Sequence, residues 1–173
     1  MVRFLDRGAA FLGGIVEYAG RLTAWLTLGL TLLVAGNVLL RYAFAYGSVA
    51  SQELEWHVLA VISLLGISYT LAHGEHVRVD ILYHRYSPRA RIWLELVTAV
   101  VVMVPMSAYI AWLSVQFVGQ SYSMAEISPD PGGLTHRWLL KGFITLGFSL
   151  LAVQGLAIAM RSLADLLAWR HGS

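Results

Sequence analysis

Four stretches of the chain contain no Asp, Glu, Lys or Arg and are long enough to cross a lipid bilayer: Leu22–Leu40, Trp56–Ala72, Leu96–Ala125 and Gly142–Met160. A spanning helix needs about 17 to 25 mainly apolar residues. Because lipid offers the backbone no hydrogen-bond partner, such a stretch crosses it as a helix. The stretches predict an all-α membrane protein, one domain of residues 1–173 with four transmembrane helices at about 22–41, 55–72, 93–121 and 141–161.

The third stretch is longer than a bilayer requires. As a helix it would extend over about 45 Å, so we expect it to tilt, to project past the lipid, or to end near Tyr122. Pro105 lies inside this stretch. Proline has no backbone N–H, so we expect a kink at this position.

The composition supports a lipid environment. The 173 residues are 58% hydrophobic and 13% charged. A soluble domain of this size has too much surface to bury so many apolar side chains. The chain has no cysteine, which excludes disulfides, thiolate metal sites and covalently attached haem. The net charge of +2 gives no argument for nucleic-acid binding.

Lysine and arginine are distributed unevenly around the predicted spans. Nine of the twelve precede span one, lie between spans two and three, or follow span four, and the other three are Arg41, Arg137 and Lys141. The positive-inside rule therefore places both termini and the second loop in the cytoplasm. The first and third loops are then outside.

The N-terminal residues 3–20 alternate apolar and charged positions at helical spacing. This pattern predicts an amphipathic helix that lies at the cytoplasmic membrane interface. The alternative is that these residues form a polar extension of span one. Arg3, Asp6, Arg7 and Glu17 interrupt the apolar residues, so the segment does not resemble a signal peptide.

Charged residues also mark the outer ends of the spans. Glu53 and Glu55 begin span two, where the helix dipole favours carboxylates. A charge contact with a partner protein is the alternative explanation for this pair. Two further pairs are spaced four residues apart and share a helix face: Asn37 with Arg41, and Arg137 with Lys141.

The loop after span two is rich in ionisable residues, which raises the question of a metal site. Its His, Glu and Asp residues are His73, Glu75, His76, Asp80 and His84. Gly74 disrupts the helical spacing that would bring them together, and Arg78 would repel a cation. We therefore predict no metal site here. Ser87-Pro88 has the residue types that begin a helix, and it predicts the start of span three.

The spans lack the groups that carry transport or redox chemistry. They contain no charged residue that could couple an ion or relay a proton, and no matched pair of Gly/Pro-broken helices. Only His57 lies near the membrane, so two facing haem ligands are missing. The residues predict a membrane subunit with no catalytic, substrate-binding or metal site and no cofactor, hence not an enzyme. Two alternatives remain: a membrane anchor of a respiratory or redox enzyme, and an autonomous small transporter.

Five blocks of residues occur in a characteristic order. They are Asn37–Tyr42, Gln52–His57, Gly66, His76–Asp80, and Glu126–Leu134 with Arg137-Trp138 and Lys141. Over about residues 20–163 the chain resembles the small membrane subunit (DctQ-type) of tripartite ATP-independent periplasmic (TRAP) transporters. The Pro-Gly-Gly loop is similar to a branch associated with monocarboxylates or 2-oxo acids. The chain departs from the family pattern at Ser51 and the two residues before it, where a tryptophan is expected, and at Thr135, where proline is expected.

The resemblance implies a location in the bacterial inner membrane and two protein partners. A large membrane subunit would carry the substrate and sodium sites, and a periplasmic binding protein would deliver an organic anion. The small subunit would scaffold the large one and help to dock the binding protein. On this basis the candidate partner-interface or structural residues are, at the outer surface, Arg41, Glu53, Glu55, Glu126, Arg137 and Lys141, and, at the inner end of span two, His76, Arg78 and Asp80.

Overall fold

The computed structural model of the protein describes residues 1–74 and 86–171, with side chains through Trp169. Within these ranges four helices are long and apolar enough to cross a membrane. They are α1 (Val2–Phe44), α2 (Val49–Ala72), a third helix made of α3 (Pro88–Val97), a π-helical turn (Thr98–Met103) and α4 (Val104–Ser123), and finally α5 (Trp138–His171). The predicted all-α class with four helices able to span a membrane is confirmed.

The N-terminal segment does not form a helix of its own. Val2–Phe44 is a single helix of 43 residues, and no proline interrupts it. Gly8 lies against Met160 of α5, and Gly20 lies against the Tyr69 ring of α2. The first twenty residues therefore pack within the bundle as a continuation of span one, which is the alternative that the sequence left open.

The third helix departs from regular α geometry where the sequence predicts it. The π-helical turn Thr98–Met103 directly precedes Val104 and Pro105. Proline lacks the N–H that would bond to the carbonyl four residues earlier, so the hydrogen bonding of the turn before it shifts. The start at Pro88 is also confirmed, because the Ser87 side chain accepts a hydrogen bond from Ala90 N.

Helix α5 is the centre of the bundle and contacts α1, α2, α3, the π-helical turn and α4. Its contacts depend on small residues. A Cβ on Gly147 would lie 2.7 Å from the Leu64 carbonyl oxygen, and one on Gly155 would lie 2.9 Å from a Val104 methyl carbon. Small residues allow helix backbones to approach closely, which is how helices associate in lipid.

The two ends of the bundle differ. We call the end with the connections 45–48 and 124–137 the two-loop end. We call the opposite end, which contains the N-terminus and the end of α5, the terminal end. Between them the outer surface is apolar, and Trp25 on α1 is 72% exposed. Such a surface requires lipid or a partner protein to cover it.

Candidate functional site

The first turns of α2 hold the most buried carboxylate at the two-loop end. Glu53 is 4% exposed. One of its oxygens accepts a hydrogen bond from the Ser128 hydroxyl, and the other accepts one from Leu134 N at 2.6 Å. Hydrogen bonds to a charged acceptor are among the stronger ones in proteins. Glu53 therefore joins α2 to the loop between α4 and α5.

Glu55 points towards a different neighbour. Its Oε1 atom accepts a hydrogen bond from Asn37 Nδ2 at 2.6 Å. The same Asn37 nitrogen lies 3.3 Å from the Ser51 carbonyl oxygen. Both contacts of Asn37 join α1 to α2. The two acidic residues therefore connect α2 to the loop between α4 and α5, through Glu53, and to α1, through Glu55.

The loop 124–137 folds back on itself around Ser128. Ser128 N donates to the Leu134 carbonyl at 3.0 Å, and Asp130 N donates to Ser128 Oγ at 3.2 Å. Gly132 has a φ of 79°, which suits glycine. A Cβ on Gly133 would lie 2.5 Å from Ser128 Oγ and 2.8 Å from Glu53 Oε2. Only glycine fits at this position.

An ion pair connects the same loop to the start of α5. Lys141 Nζ donates to Glu126 Oε2 and lies 3.9 Å from the centre of the Phe117 ring on α4. This ammonium group lowers the pKa of the Glu126 carboxyl below its ordinary value of 4.5. Glu126 is therefore ionised at neutral pH, and its charge is neutralised within the subunit.

Two further side chains lie near the start of α2. The Arg137 guanidinium lies 5.9 Å from the centre of the Trp56 ring, a distance within reach of a cation–π contact. His57 Nδ1 lies 2.7 Å from the Glu53 carbonyl oxygen, which makes Nδ1 the donor. The other ring nitrogen, Nε2, is buried and has no hydrogen-bond partner.

The terminal end is more open among the described residues. A cavity of about 980 Å³ lies between α1, the end of α2, α3 with the π-helical turn, and α5, and Gly13, Gly14 and Ala157 line part of it. The Gln154 side chain also lines it, and its buried Oε1 atom has no hydrogen-bond partner in residues 1–74 and 86–169. In residues 1–74 and 86–171, no three His, Asp or Glu side chains are placed to hold a metal ion together.

Comparison with known proteins identifies the family. Residues 30–165 match "Tripartite ATP-independent periplasmic transporters, DctQ component". The chain belongs to the DctQ family. It is therefore a small permease subunit of a TRAP transporter, and the predicted resemblance is confirmed.

Two relatives are similar to this DctQ-family protein at modest identity. A Haemophilus influenzae protein named as a TRAP transporter small permease protein is 27% identical over 107 residues, covering 62% of this chain and 66% of that protein. The ectoine TRAP transporter small permease protein TeaB of Halomonas elongata is 26% identical over 143 residues, covering 81% of this chain and 72% of TeaB.

The structure brings most of the predicted outer residues of this DctQ-family protein together. Glu53, Glu55, Glu126, Arg137 and Lys141 all contact other groups of the chain at the two-loop end. Arg41 lies apart from them, exposed in the last turn of α1. The remaining three predicted residues, His76, Arg78 and Asp80, lie outside the described residues.

Sequence reasoning did not assign the partners of these side chains. It placed the Pro-Gly-Gly segment in a loop but gave no role to Ser128 or Gly133, which close the loop onto Glu53. It also grouped Asn37 with Arg41, whereas Asn37 donates to Glu55. One signal was present: a carboxylate in the first turns of a membrane helix needs donors if it faces inwards.

Proposed function

We propose that this DctQ-family protein is the small inner-membrane subunit of a sodium-coupled, binding-protein-dependent secondary transporter for organic acid anions. The observation that carries the proposal is the family match over residues 30–165. In this proposal the large membrane subunit holds the solute and sodium sites. The small subunit scaffolds the large one and helps to dock the binding protein.

The described side chains support a scaffold role. Glu53, Glu126 and Lys141 at the two-loop end are bonded to other groups of the chain, so they are poorly placed to bind a solute. The middle of the bundle is held by small residues and by hydroxyl contacts such as Ser114 Oγ to Thr145 Oγ1 at 2.8 Å. Helix α1 leaves most of its apolar surface uncovered, which provides area for a second membrane protein.

We further propose that the two-loop end is periplasmic and that both termini are cytoplasmic. This assignment follows from the positive-inside rule. The absence of cysteine from the chain makes a labelling test direct. Asp130→Cys should react with a membrane-impermeant maleimide in intact cells. Ser87→Cys should react only after the inner membrane is permeabilised, and the reverse pattern would invert the topology.

The solute is proposed at the level of chemical class. The resemblance of the loop around Gly132 and Gly133 to one branch of the family supports a monocarboxylate or 2-oxo acid. One relative is named for ectoine, so solutes differ between members of the family. Uptake by the reconstituted complex of a panel that includes 2-oxo acids, dicarboxylates and ectoine would assign the class. Selective uptake of ectoine, a zwitterion without net charge, would refute the proposal of an organic acid anion.

The decisive experiment for the function is isolation of the tagged subunit from native membranes in mild detergent. We expect a large polytopic membrane protein to co-purify in near-stoichiometric amount. The isolated complex, reconstituted with its binding protein, should take up solute only when a sodium gradient is present. Recovery of the chain alone, with solute uptake by the chain alone, would refute the scaffold role.

A further inference from the structure

The loop between α4 and α5 ends in a projecting segment that we call the loop tip, residues 127–132. Within it Ile127 is 63% exposed, and Pro129, Asp130 and Pro131 are also exposed. The neighbouring carboxylates are not available to a partner protein, because Glu53 is buried and Glu126 is paired with Lys141. Among the described residues of the two-loop end, Asp130 is the one acidic side chain that is exposed.

Hydrogen bonds at the base of the loop tip hold it in one conformation. Ser128 N bonds to the Leu134 carbonyl, and Gly133 N bonds to the Asp130 carbonyl at 3.0 Å. Glu53 accepts from both sides of this closed loop, through Ser128 Oγ and Leu134 N. Two prolines fix the backbone between these anchor points. The loop tip is therefore preorganised, and a partner that binds it loses little conformational entropy.

The composition of the loop tip points to a water-soluble partner. The turn carries the Asp130 charge and exposed backbone groups, which lipid cannot solvate. It also presents apolar Ile127 and proline surface in a small area. Interface cores combine such apolar anchors with a few placed charges. The complementary surface is an apolar pocket with a cationic or N–H-bearing group opposite the Asp130 carboxylate.

We propose that the loop tip is the contact through which this subunit binds the solute-binding protein, with Glu53 as the positioning residue. The inference rests on the proposed function, since it requires a transporter with a separate binding protein. It goes further in naming the segment that makes the contact. It also separates the residues that touch the partner, Ile127 and Asp130, from the residue that holds them in place.

The test uses the purified complex of both membrane subunits in nanodiscs and the binding protein encoded with them. Ile127→Asp places a charge on the loop tip, and Met124→Asp is its matched control. Met124 is 68% exposed in the same loop but lies outside the tip. We expect Ile127→Asp to weaken capture of the binding protein by about tenfold, the effect of losing one interface anchor. Met124→Asp should change it less than threefold.

Charge and position are tested separately. Asp130→Asn should slow association and flatten its dependence on ionic strength, because the carboxylate would no longer attract the partner. Glu53→Ala should weaken capture as Ile127→Asp does while the large subunit still co-purifies. Glu53→Gln retains one acceptor oxygen for Leu134 N and should restore a substantial part of the binding. If Glu53 only stabilised the membrane complex, its substitution would not weaken capture of the binding protein by a complex that still contains the large subunit.

Three outcomes would overturn the inference. One is unchanged capture by Ile127→Asp, and another is an equal loss in Ile127→Asp and Met124→Asp. The third is release of the large subunit by Ile127→Asp, which would assign the loop tip to that subunit. Failure of the proposed function would look different, because the wild-type chain would then purify without a large subunit.

Discussion

The two-loop end and the terminal end differ in how their buried polar side chains are held. At the two-loop end Glu53 has a donor for each carboxylate oxygen, and Glu55 has Asn37. At the terminal end Gln154 has a buried oxygen without a partner among the described residues, as His57 Nε2 has at the two-loop end, and it lies beside a cavity of about 980 Å³. A buried polar group without a partner costs free energy, whereas a satisfied network specifies one arrangement. The carboxylate network therefore fixes the arrangement of the two-loop end, where it joins α2 to α1 and to the loop 124–137.

This comparison has a consequence for function. A surface that must recognise a soluble protein benefits from a fixed shape, because less entropy is lost on binding. The two-loop end has this property in the described structure. At the terminal end, small side chains among the described residues line a cavity, so the described parts of these helices are packed less closely there. We expect substitutions to be tolerated less well at the two-loop end.

The largest expected effect is that of Glu53→Ala. It removes the acceptor of both Ser128 Oγ and Leu134 N in a buried site. Thermal unfolding in detergent, followed by tryptophan fluorescence, should show the greatest loss of stability in the series. The control is Gln52→Ala, an exposed position in the same turn, which should leave the midpoint almost unchanged. Equal midpoints for the two variants would contradict the proposed anchoring role.

A second comparison places the same substitution at each end. Gly133→Ala introduces a Cβ 2.5 Å from Ser128, and overpacking of this kind costs about 2 kcal/mol. Gly13→Ala introduces a Cβ with nothing within 4 Å in the middle of α1, where alanine is favoured over glycine by about 1 kcal/mol. An SDS titration in mixed micelles would measure both free energies of unfolding. Changes of the same sign would remove the proposed difference between the ends.

The Glu126–Lys141 ion pair predicts a specific pH dependence. Because Lys141 lowers the pKa of Glu126 below 4.5, the ion pair contributes its full stability above that pH. The contribution is lost as the pH falls through the lowered pKa of the folded protein. The difference in unfolding midpoint between wild type and Lys141→Gln should be constant from pH 7 to about pH 5.5 and should shrink at lower pH. A difference that grows on acidification would reverse the sign and refute the assignment.

The smallest effect is expected at the terminal end. Gln154→Leu removes an amide whose oxygen has no partner and keeps a side chain of similar volume. Replacement of an unsatisfied polar group by an apolar one is close to neutral, so the free energy of unfolding should change by less than about 1 kcal/mol. The same SDS titration would test this. A loss of stability as large as that of Glu53→Ala would show that Gln154 stabilises the fold as much as Glu53 does.

Much of the fold could be predicted because the solvent restricts it. The four uncharged stretches specified four helices, and Pro105 marked the departure from α geometry in the third. The continuous α1 was only one of two alternatives. Charged residues such as Asp6 and Glu17 fit either an interfacial helix or an extension, and contacts such as Gly8 to Met160 are not visible in local sequence.

The candidate site was predicted in its residue types but not in its pairings. Arg137 and Lys141 were expected to share a helix face, but the sequence did not indicate that Arg137 lies by the Trp56 ring or that Lys141 pairs with Glu126. Glu53 and Glu55 are two residues apart and point to different neighbours. Side-chain partners in different helices depend on the packing of the whole bundle.

The sequence by itself determined that this protein is a membrane bundle of the DctQ type, because apolar length and the order of its motifs are local properties of the chain. The tertiary structure alone decided which carboxylate is buried and which is presented. Ser128 is 75 positions from Glu53 in the chain, and only the packing of α2 beside α5 brings them into contact. Burial of Glu53 leaves Asp130 exposed at the loop tip, so the division between anchor and contact surface follows from helix packing.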